Sequence, residues 1–320
     1  MKYTEKHLEA MASPISKSEE EKCKNALKMV RDAMKLLDYT DGGNEIRRLA
    51  DETFSFALNM HQKNTNKKIT LLVQGSYANK TNISSESDVD VAVILESTFF
   101  PLYRPGVNGN DYGFIPGSFT VKELKNEVEI ALRKHFKNQG VERHDKCIKV
   151  RGNTYRVDAD VVPAYRYRDY SNDWSYKEDN YIGGIVICPD RGGQIINYPE
   201  QHIQNGKTKN KNSNYKFKKC VRIAKNMRKE MEENGCKLSD KISSFGIESL
   251  LWNVSESSYN MYSSLGFIFD EVISFLLNDS NNFNSYKEAN GIKPLFENDE
   301  KKQAYIDFVR KLNTYFEYDR

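Results

Sequence analysis

The sequence predicts an α+β protein: a mixed-sheet part over residues 1–200, then a helical lobe over residues 201–320. Two observations carry this. Residues 71–95, LLVQGSYANKTNISSESDVDVAVIL, read as strand, turn and strand, and residues 148–164, IKVRGNTYRVDADVVPA, alternate with the two-residue period of a half-buried hairpin. From about residue 200 onward the spacing turns helical, at 215–232, 244–254, 259–277 and 301–316, and strand signals disappear.

Taken in order, the elements begin with a helix of about 20 residues. Leu27, Val30, Met34 and Leu37 recur at intervals of three, four and three, and Ser18 with Glu21 forms a capping-box pattern just upstream. A second helical run is expected over residues 44–62, after the Gly42-Gly43 pair, and Val121 to Phe136 alternates charged and apolar residues at helical period. No repeat at a fixed period occurs, and the one biased tract is the Lys/Asn-rich NGKTKNKNSNYKFKK.

The balance of 38% hydrophobic and 29% charged residues in a 320-residue chain is that of a soluble globular protein, and a net charge of +3 is too mild to announce nucleic-acid binding by itself. No segment approaches the roughly 18 apolar residues of a membrane span, and the polar start has no signal-peptide pattern, so a cytoplasmic protein without a membrane partner is expected. Cys23, Cys147, Cys188, Cys220 and Cys236 form no C-x-x-C pair and are read as reduced thiols.

Chemistry gathers on the strands. In SDVDVAVIL, Asp88 and Asp90 project from one face while Val89, Val91 and Val93 point into the core from the other. Two carboxylates a few ångströms apart repel, and a divalent cation is the simplest way to keep both ionised. Some 70 residues on, VDADVVPA offers Asp158 and Asp160, again on one face. Upstream, Gly75 and Ser76 form a turn whose N–H groups and hydroxyl suit phosphate oxygens. A Gly-Ser turn is by itself usually just a turn, and a D-x-D is often a solvated edge. In this order and on independently expected strands, the set is what a two-metal phosphoryl-transfer site requires.

These residues resemble a known family. The G-S turn, the D-V-D strand and the late A-D-V-V-P-A are similar to those of polymerase-β-like nucleotidyltransferases, and more closely of the cGAS/DncV-like nucleotidyltransferases of bacterial anti-phage (CBASS) signalling. INYPEQHIQNGKTKN at 196–210 resembles that family's loop with Y-P, H, N-G and K-N in order. YKFKKCVRIAKNMRK at 215–229 resembles its V-R, K, R helix, and ISSFGIESLLWNV at 242–254 its P-S-F, I-E, L helix start; the set looks closest to the CdnE-like branch. One departure is Ser243, where relatives often have proline, which leaves the start of that helix open.

The resemblance implies a nucleotidyltransferase core braced by the N-terminal helix, a C-terminal helical domain, and an active site in the cleft between them. It implies Asp88, Asp90 and Asp160 as catalytic metal ligands for two Mg²⁺ ions, with Mn²⁺ as a substitute, and makes Asp158 a neighbour. Gly75, Ser76, Lys225, Ser244 and Phe245 become the nucleotide-binding residues. The implied activity joins ATP and a second ribonucleoside triphosphate into a cyclic oligonucleotide, most simply a cyclic dinucleotide, with release of pyrophosphate. A downstream effector then acts through the diffusible product.

The residues of the second half are open to plainer readings. Lys218, Arg222, Lys225 and Lys229 form a stripe on the 215–232 helix opposite Phe217, Cys220, Val221, Ala224, Met227 and Met231, and such a stripe is usually a solvated face. Ser244 reads as the N-cap of the next helix, where hydroxyl and helix dipole also suit an anion. Phe245 reads equally as a core residue. Lysines 207, 209, 211, 216, 218 and 219 interleave with Tyr215 and Phe217, which suits nucleic-acid backbone, so Lys207, Lys209, Lys211, Lys216, Lys218 and Lys219 are candidate contacts for an RNA activator. Two rivals share the motifs: a nucleotidyltransferase making a linear product or directed at tRNA or an antibiotic, and a catalytically idle nucleotide- or RNA-binding module.

Overall fold

The computed structural model describes residues 2–14, 17–83, 88–117, 121–154 and 156–319. In chain order the first elements are β1 (Lys2–Tyr3), α1 (Glu5–Ala12), α2 (Lys17–Lys35), β2 (Tyr39–Thr40), β3 (Arg47–Arg48), β4 (Phe56–Gln62), β5 (Lys68–Gln74), α3 (Gly75–Asn79) and β6 (Val89–Tyr103). There follow α4 (Val121–Phe136), β7 (Val141–Arg143), β8 (Ile148–Val150), β9 (Ala159–Tyr170), β10 (Ile182–Ile187), β11 (Ile195–Asn197) and α5 (Pro199–Asn212). The last are α6 (Phe217–Glu233), α7 (Ser244–Trp252), α8 (Glu256–Asn260), α9 (Leu265–Asn278), α10 (Asp299–Tyr315) and β12 (Glu317–Tyr318).

The chain forms two compact units: one of Lys17–Ala78 and Glu86–Glu200, the other of Met1–Ser16, Asn79–Ser85 and Gln201–Arg320. In the first, the main sheet has the order β11-β10-β9-β6-β5-β4-β2, with β3 added on β4 and the β7-β8 hairpin added on β9. β6 and β9 run parallel, Val89 opposite Ala159 and Asp90 opposite Asp160, while the other neighbours on this path are antiparallel. Val89, Val91 and Val93 are fully buried, as one face of a strand that carries carboxylates on the other must be. Helices α2 and α4 pack on each other and on this sheet, burying Leu27, Val30 and Met34 from one and Val128, Ala131 and Leu132 from the other.

The helix expected over 44–62 is not formed. Residues 47–48 and 56–62 are strands, and β4 pairs with β5 from Ala57 opposite Leu72 to His61 opposite Lys68. Phe54, Phe56, Leu58 and Met60 recur every second residue and are all buried, a strand period that overrides the helical one, and Glu52 at φ 61° turns the chain just before it. The loop expected at 196–210 is largely helix α5, with Pro199 in its first turn, where a missing N–H costs nothing. The run expected at 259–277 is split, α8 ending at Asn260 and α9 starting at Leu265.

In the second unit α1 packs on α6 and α9, and β1 pairs in parallel with β12, Lys2 opposite Glu317. Its apolar core includes Leu8, Phe217, Val221, Ile247, Phe269 and Phe308. At its centre lies a buried ionic cluster. The Glu248 carboxylate accepts from Lys225 Nζ at 3.2 Å and Thr81 Oγ1 at 2.6 Å, and meets His202 Nε2 at 2.8 Å; Lys225 also donates to the Thr81 carbonyl at 2.9 Å. Burial works against the Glu248 charge, but Lys225, His202 and the hydroxyl of Thr81 outweigh it and hold the carboxyl well below its usual range. Removing one partner from such a cluster leaves an uncompensated buried charge. Glu248→Ala is therefore expected to lower unfolding free energy by about 3–5 kcal/mol, read from urea denaturation followed by circular dichroism.

Candidate active site

Pairing sets the site. Gln74 at the end of β5 faces Asp90 on β6, Asp90 faces Asp160 on β9, and Asp160 faces Lys149 on β8, so the four stand in one row across the sheet. Asp88 lies two residues before Asp90, and its carboxylate accepts from Lys149 Nζ at 2.8 Å. Lys149 also stands 3.4 Å from Asp158, whose other oxygen takes the Gly152 N–H at 2.6 Å. Asp158 is thus a neighbour with local work of its own.

The charges are unbalanced. Burial, then the nearby Asp160 and Asp88, push the Asp90 carboxyl up to about 7. Asp160 is raised for the same reasons, burial first and Asp88 next, against the pull of a Cys147 hydrogen bond. Gly75, the first residue of α3, is held at φ +73°, and a Cβ built there would lie 2.2 Å from Asp90 Oδ2. Only glycine lets the backbone come this close to the carboxylate. Ser76 follows it in the first turn of α3.

A divalent cation fits the donor chemistry: three carboxylates on adjacent strand positions, two of them repelling each other in register, form a hard oxygen set. As placed, they are not a closed shell. Among the described residues no three His, Cys, Asp or Glu side chains converge on one ion position, and Asp88 is engaged by Lys149. To ligate, Asp88 has to exchange that ammonium for the cation.

The remaining predicted residues belong to the helical unit. Lys225 is buried and held by Glu248 and Thr81. Ser244 is not the N-cap; Ser243 is, its hydroxyl accepting from the Gly246 N–H at 3.0 Å, which also explains how α7 starts without the proline. Phe245 is not a core residue: it is 39% exposed and stands edge-on to the His202 ring at 5.1 Å. The solvated-stripe reading of α6 fails for Lys218, Arg222 and Lys225, all buried, with Arg222 donating to the Ala12 carbonyl at 2.6 Å. Of the lysines read as RNA contacts, Lys209 and Lys218 are buried, Lys209 paired with Glu256 at 3.0 Å, and neither is open to a backbone phosphate. Lys216 donates to the Tyr262 carbonyl, Lys207 is half-buried, and Lys211 and Lys219 are exposed.

Sequence reading missed Lys149 and Cys147. Lys149 was within reach, because the alternation of the 148–164 hairpin puts it on a strand face whose partner strand carries D-x-D. Nothing local marked Cys147 as the thiol bonded to Asp160.

Among proteins of known activity, the cyclic GMP-AMP synthase CdnE03 of Staphylococcus schleiferi is 40% identical over 318 residues, 99% of this chain and 98% of that protein. The chain belongs to the cGAS/DncV-like nucleotidyltransferases. The family profile described as the cGAS/DncV-like nucleotidyltransferase C-terminal helical domain matches residues 204–317. A cyclic dipyrimidine nucleotide synthase CdnE from Cecembia lonarensis is 36% identical, over 92% of this chain and 90% of that one. The solved Rhodothermus marinus CdnE c-UMP-AMP synthase, with Apcpp and Upnpp, superposes with a TM-score of 0.75 at 27% identity, covering 97% of this chain and 96% of that chain. The polymerase-β-like fold with a mixed sheet and the nucleotidyltransferase class are therefore those of the family. Among the described residues no helix is long and apolar enough to cross a membrane.

Two outcomes follow for this nucleotidyltransferase. Gly75→Ala, strained at positive φ and in collision with Asp90, is expected to cut nucleotidyl transfer at least about 100-fold in a product-formation assay while the protein stays folded. The raised Asp90 carboxyl disfavours the folded state once it ionises, so stability is undiminished near pH 4 and is eroded as pH rises toward and through about 7. In chelator-treated protein, Asp90→Asn is expected to unfold with a free energy roughly 2–4 kcal/mol above wild type at pH 8. That gap should close toward pH 4 in parallel urea titrations.

Proposed function

We propose that this nucleotidyltransferase joins two ribonucleoside triphosphates, ATP and a second one, into a cyclic dinucleotide that serves as a second messenger in anti-phage defence. The observation that carries the reading is the in-register pair Asp90–Asp160, with Asp88 beside it and Gly75 against it, in a chain alike over its whole length to cyclic GMP-AMP synthase CdnE03. In each of two steps a ribose 3′-oxygen attacks an α-phosphorus, the α–β phosphoanhydride bond breaks, and pyrophosphate leaves with the bonding electrons; the hydroxyl proton passes to solvent. Mg²⁺, with Mn²⁺ as substitute, would be held by Asp88, Asp90 and Asp160 and would supply charge stabilisation and a more acidic hydroxyl.

This chain's own residues do the rest. Gly75 leaves room for phosphate oxygens beside Asp90, and the first N–H groups of α3 with the Ser76 hydroxyl are the donors offered to them. On the helical unit, Ser244 and exposed Phe245 stay candidates for nucleotide contact, Phe245 through its ring face. Lys225 acts through the segment it holds at Thr81. An RNA activator retains support at Lys211 and Lys219.

One assay tests the reading. Protein incubated with the four ribonucleotides and Mg²⁺ is expected to yield a phosphatase-resistant product whose mass is that of a cyclic dinucleotide. Asp88→Ala, Asp90→Ala and Asp160→Ala should each reduce it to background while the circular dichroism spectrum is kept. A phosphatase-sensitive product would favour the linear-product rival, and normal product from any of the three variants would sink the assignment. Yield unaffected by nuclease and by added structured RNA removes the RNA activator.

A further inference from the structure

Strand pairing makes two carboxylate pairs. Asp90 and Asp160 stand in register on β6 and β9. Two residues upstream, just before that register begins, the Val89 N–H donates to the Asp158 carbonyl at 2.8 Å, which brings Asp88 beside Asp158. The pairs differ in what lies between them. Lys149, opposite Asp160 on β8, reaches into the upstream pair, its Nζ 2.8 Å from Asp88 Oδ2 and 3.4 Å from Asp158 Oδ2. Among the described residues no ion pair is made to Asp90 or Asp160. The one ammonium at the row therefore bridges a carboxylate read as a metal ligand, Asp88, and one that is not, Asp158.

The two acceptors of Lys149 are held differently. Asp158 is anchored: its Oδ1 accepts the Gly152 N–H at 2.6 Å, and a Cβ on residue 152 would lie 2.7 Å from the Asp158 nitrogen, so only glycine lets this loop close on the carboxylate. Asp88 has no such anchor, and among the described residues its carboxylate takes a hydrogen bond from Lys149 alone. All three side chains are only half-buried, and Asp88, Lys149 and Asp160 line one cavity, so solvent ions reach them. An ammonium and a divalent cation seek the same Asp88 oxygen and repel each other across it. A lysine with Asp88 as its sole acceptor would lose its partner in that exchange. With Asp158 fixed within reach, Lys149 keeps one.

We infer that Lys149 sets the divalent-cation affinity of the carboxylate row, yielding Asp88 to the cation while remaining on Asp158, its second acceptor. The inference rests on the reading of Asp88, Asp90 and Asp160 as metal ligands and adds to it two residues outside the ligand set. Lys149 and Asp158 are positioning residues, because each acts through Asp88. The ammonium opposes the cation, and Asp158 weakens that opposition by giving the ammonium another place. A plainer effect runs in the same directions: a lysine near three carboxylates weakens cation binding, and a nearby aspartate strengthens it, by field alone. Field effects of two separate groups on an ion add. An ammonium exchanged between two acceptors couples them, and the coupling is measurable.

The test is a double-mutant cycle on Mn²⁺ binding to chelator-treated protein without nucleotide, read from the free-ion signal in electron paramagnetic resonance. Lys149→Met keeps the stem and drops the charge, and Asp158→Asn drops a charge but keeps an oxygen for the Gly152 N–H. Lys149→Met is expected to tighten Mn²⁺ binding at least about tenfold, and Lys149→Arg to stay within about threefold of wild type. Asp158→Asn is expected to weaken binding at least about fivefold when Lys149 is present and less than about twofold beside Lys149→Met. Equal factors in the two backgrounds overturn the inference, since they leave only the field of separate charges. Binding unchanged by Lys149→Met overturns it too, as does Lys149→Arg binding as tightly as Lys149→Met. Adding Asp90→Asn to Lys149→Met checks the site: if affinity stays the same, the ion sits elsewhere and the metal-ligand reading itself falls, a result distinct from the others.

Discussion

The parallel pairing of β6 with β9 is the constraint from which the rest of the sheet unit follows. It puts Asp90 opposite Asp160, residues 70 apart in sequence, on neighbouring strands. The same pairing buries Val91 opposite Val161, so the register that assembles the carboxylates is the one that fills the core. A slip by one residue would turn every side chain of β6 to the other face, exposing valines and burying aspartates. Packing thereby enforces a concentration of negative charge that electrostatics alone would disperse. Gly75 and Lys149 are the local answers, one yielding space to Asp90 and the other lending a countercharge to Asp88.

The helical unit solves a different problem with similar means. Its α6 carries basic residues on the face turned inward, and each is matched: Lys225 by Glu248, Arg222 by backbone carbonyls. Buried charge of this kind contributes little net stability compared with apolar packing, but it permits few alternative arrangements. The cluster joins α5, α6, α7 and the segment at Thr81, fixing elements that are remote in sequence.

How much of this was legible in the sequence depended on whether a residue's role was local. The D-V-D strand, the DVVPA strand and α4 were readable because alternation and helical period are properties of short windows. The strand at 56–62 was misread because FALNMHQ carries both periods, and only its partner β5 decides between them. Buried lysines were misread because a helix window shows which side is charged and not what lies against it. Spacing and strand face sufficed for Asp88 and Asp90, whereas they left Asp158 and Asp160 side by side, and only the family resemblance chose between them.

The pairing of β1 with β12 reaches furthest along the chain. Lys2 and Tyr3 find their partners at Glu317 and Tyr318, and α1 packs on α6 and α9. Ribosomes deliver about 5–20 residues each second, so Lys2 and Tyr3 wait roughly 15–60 s for Glu317 and Tyr318 to be made. For most of that interval, until α6 has been made, Leu8 and Met11, buried in the finished unit, lack the helix that α1 chiefly packs on. The helical unit is thus closed late, by segments about 315 residues apart, and a nascent chain arrested before α6 would present those apolar side chains to whatever chaperone or neighbour reaches them first.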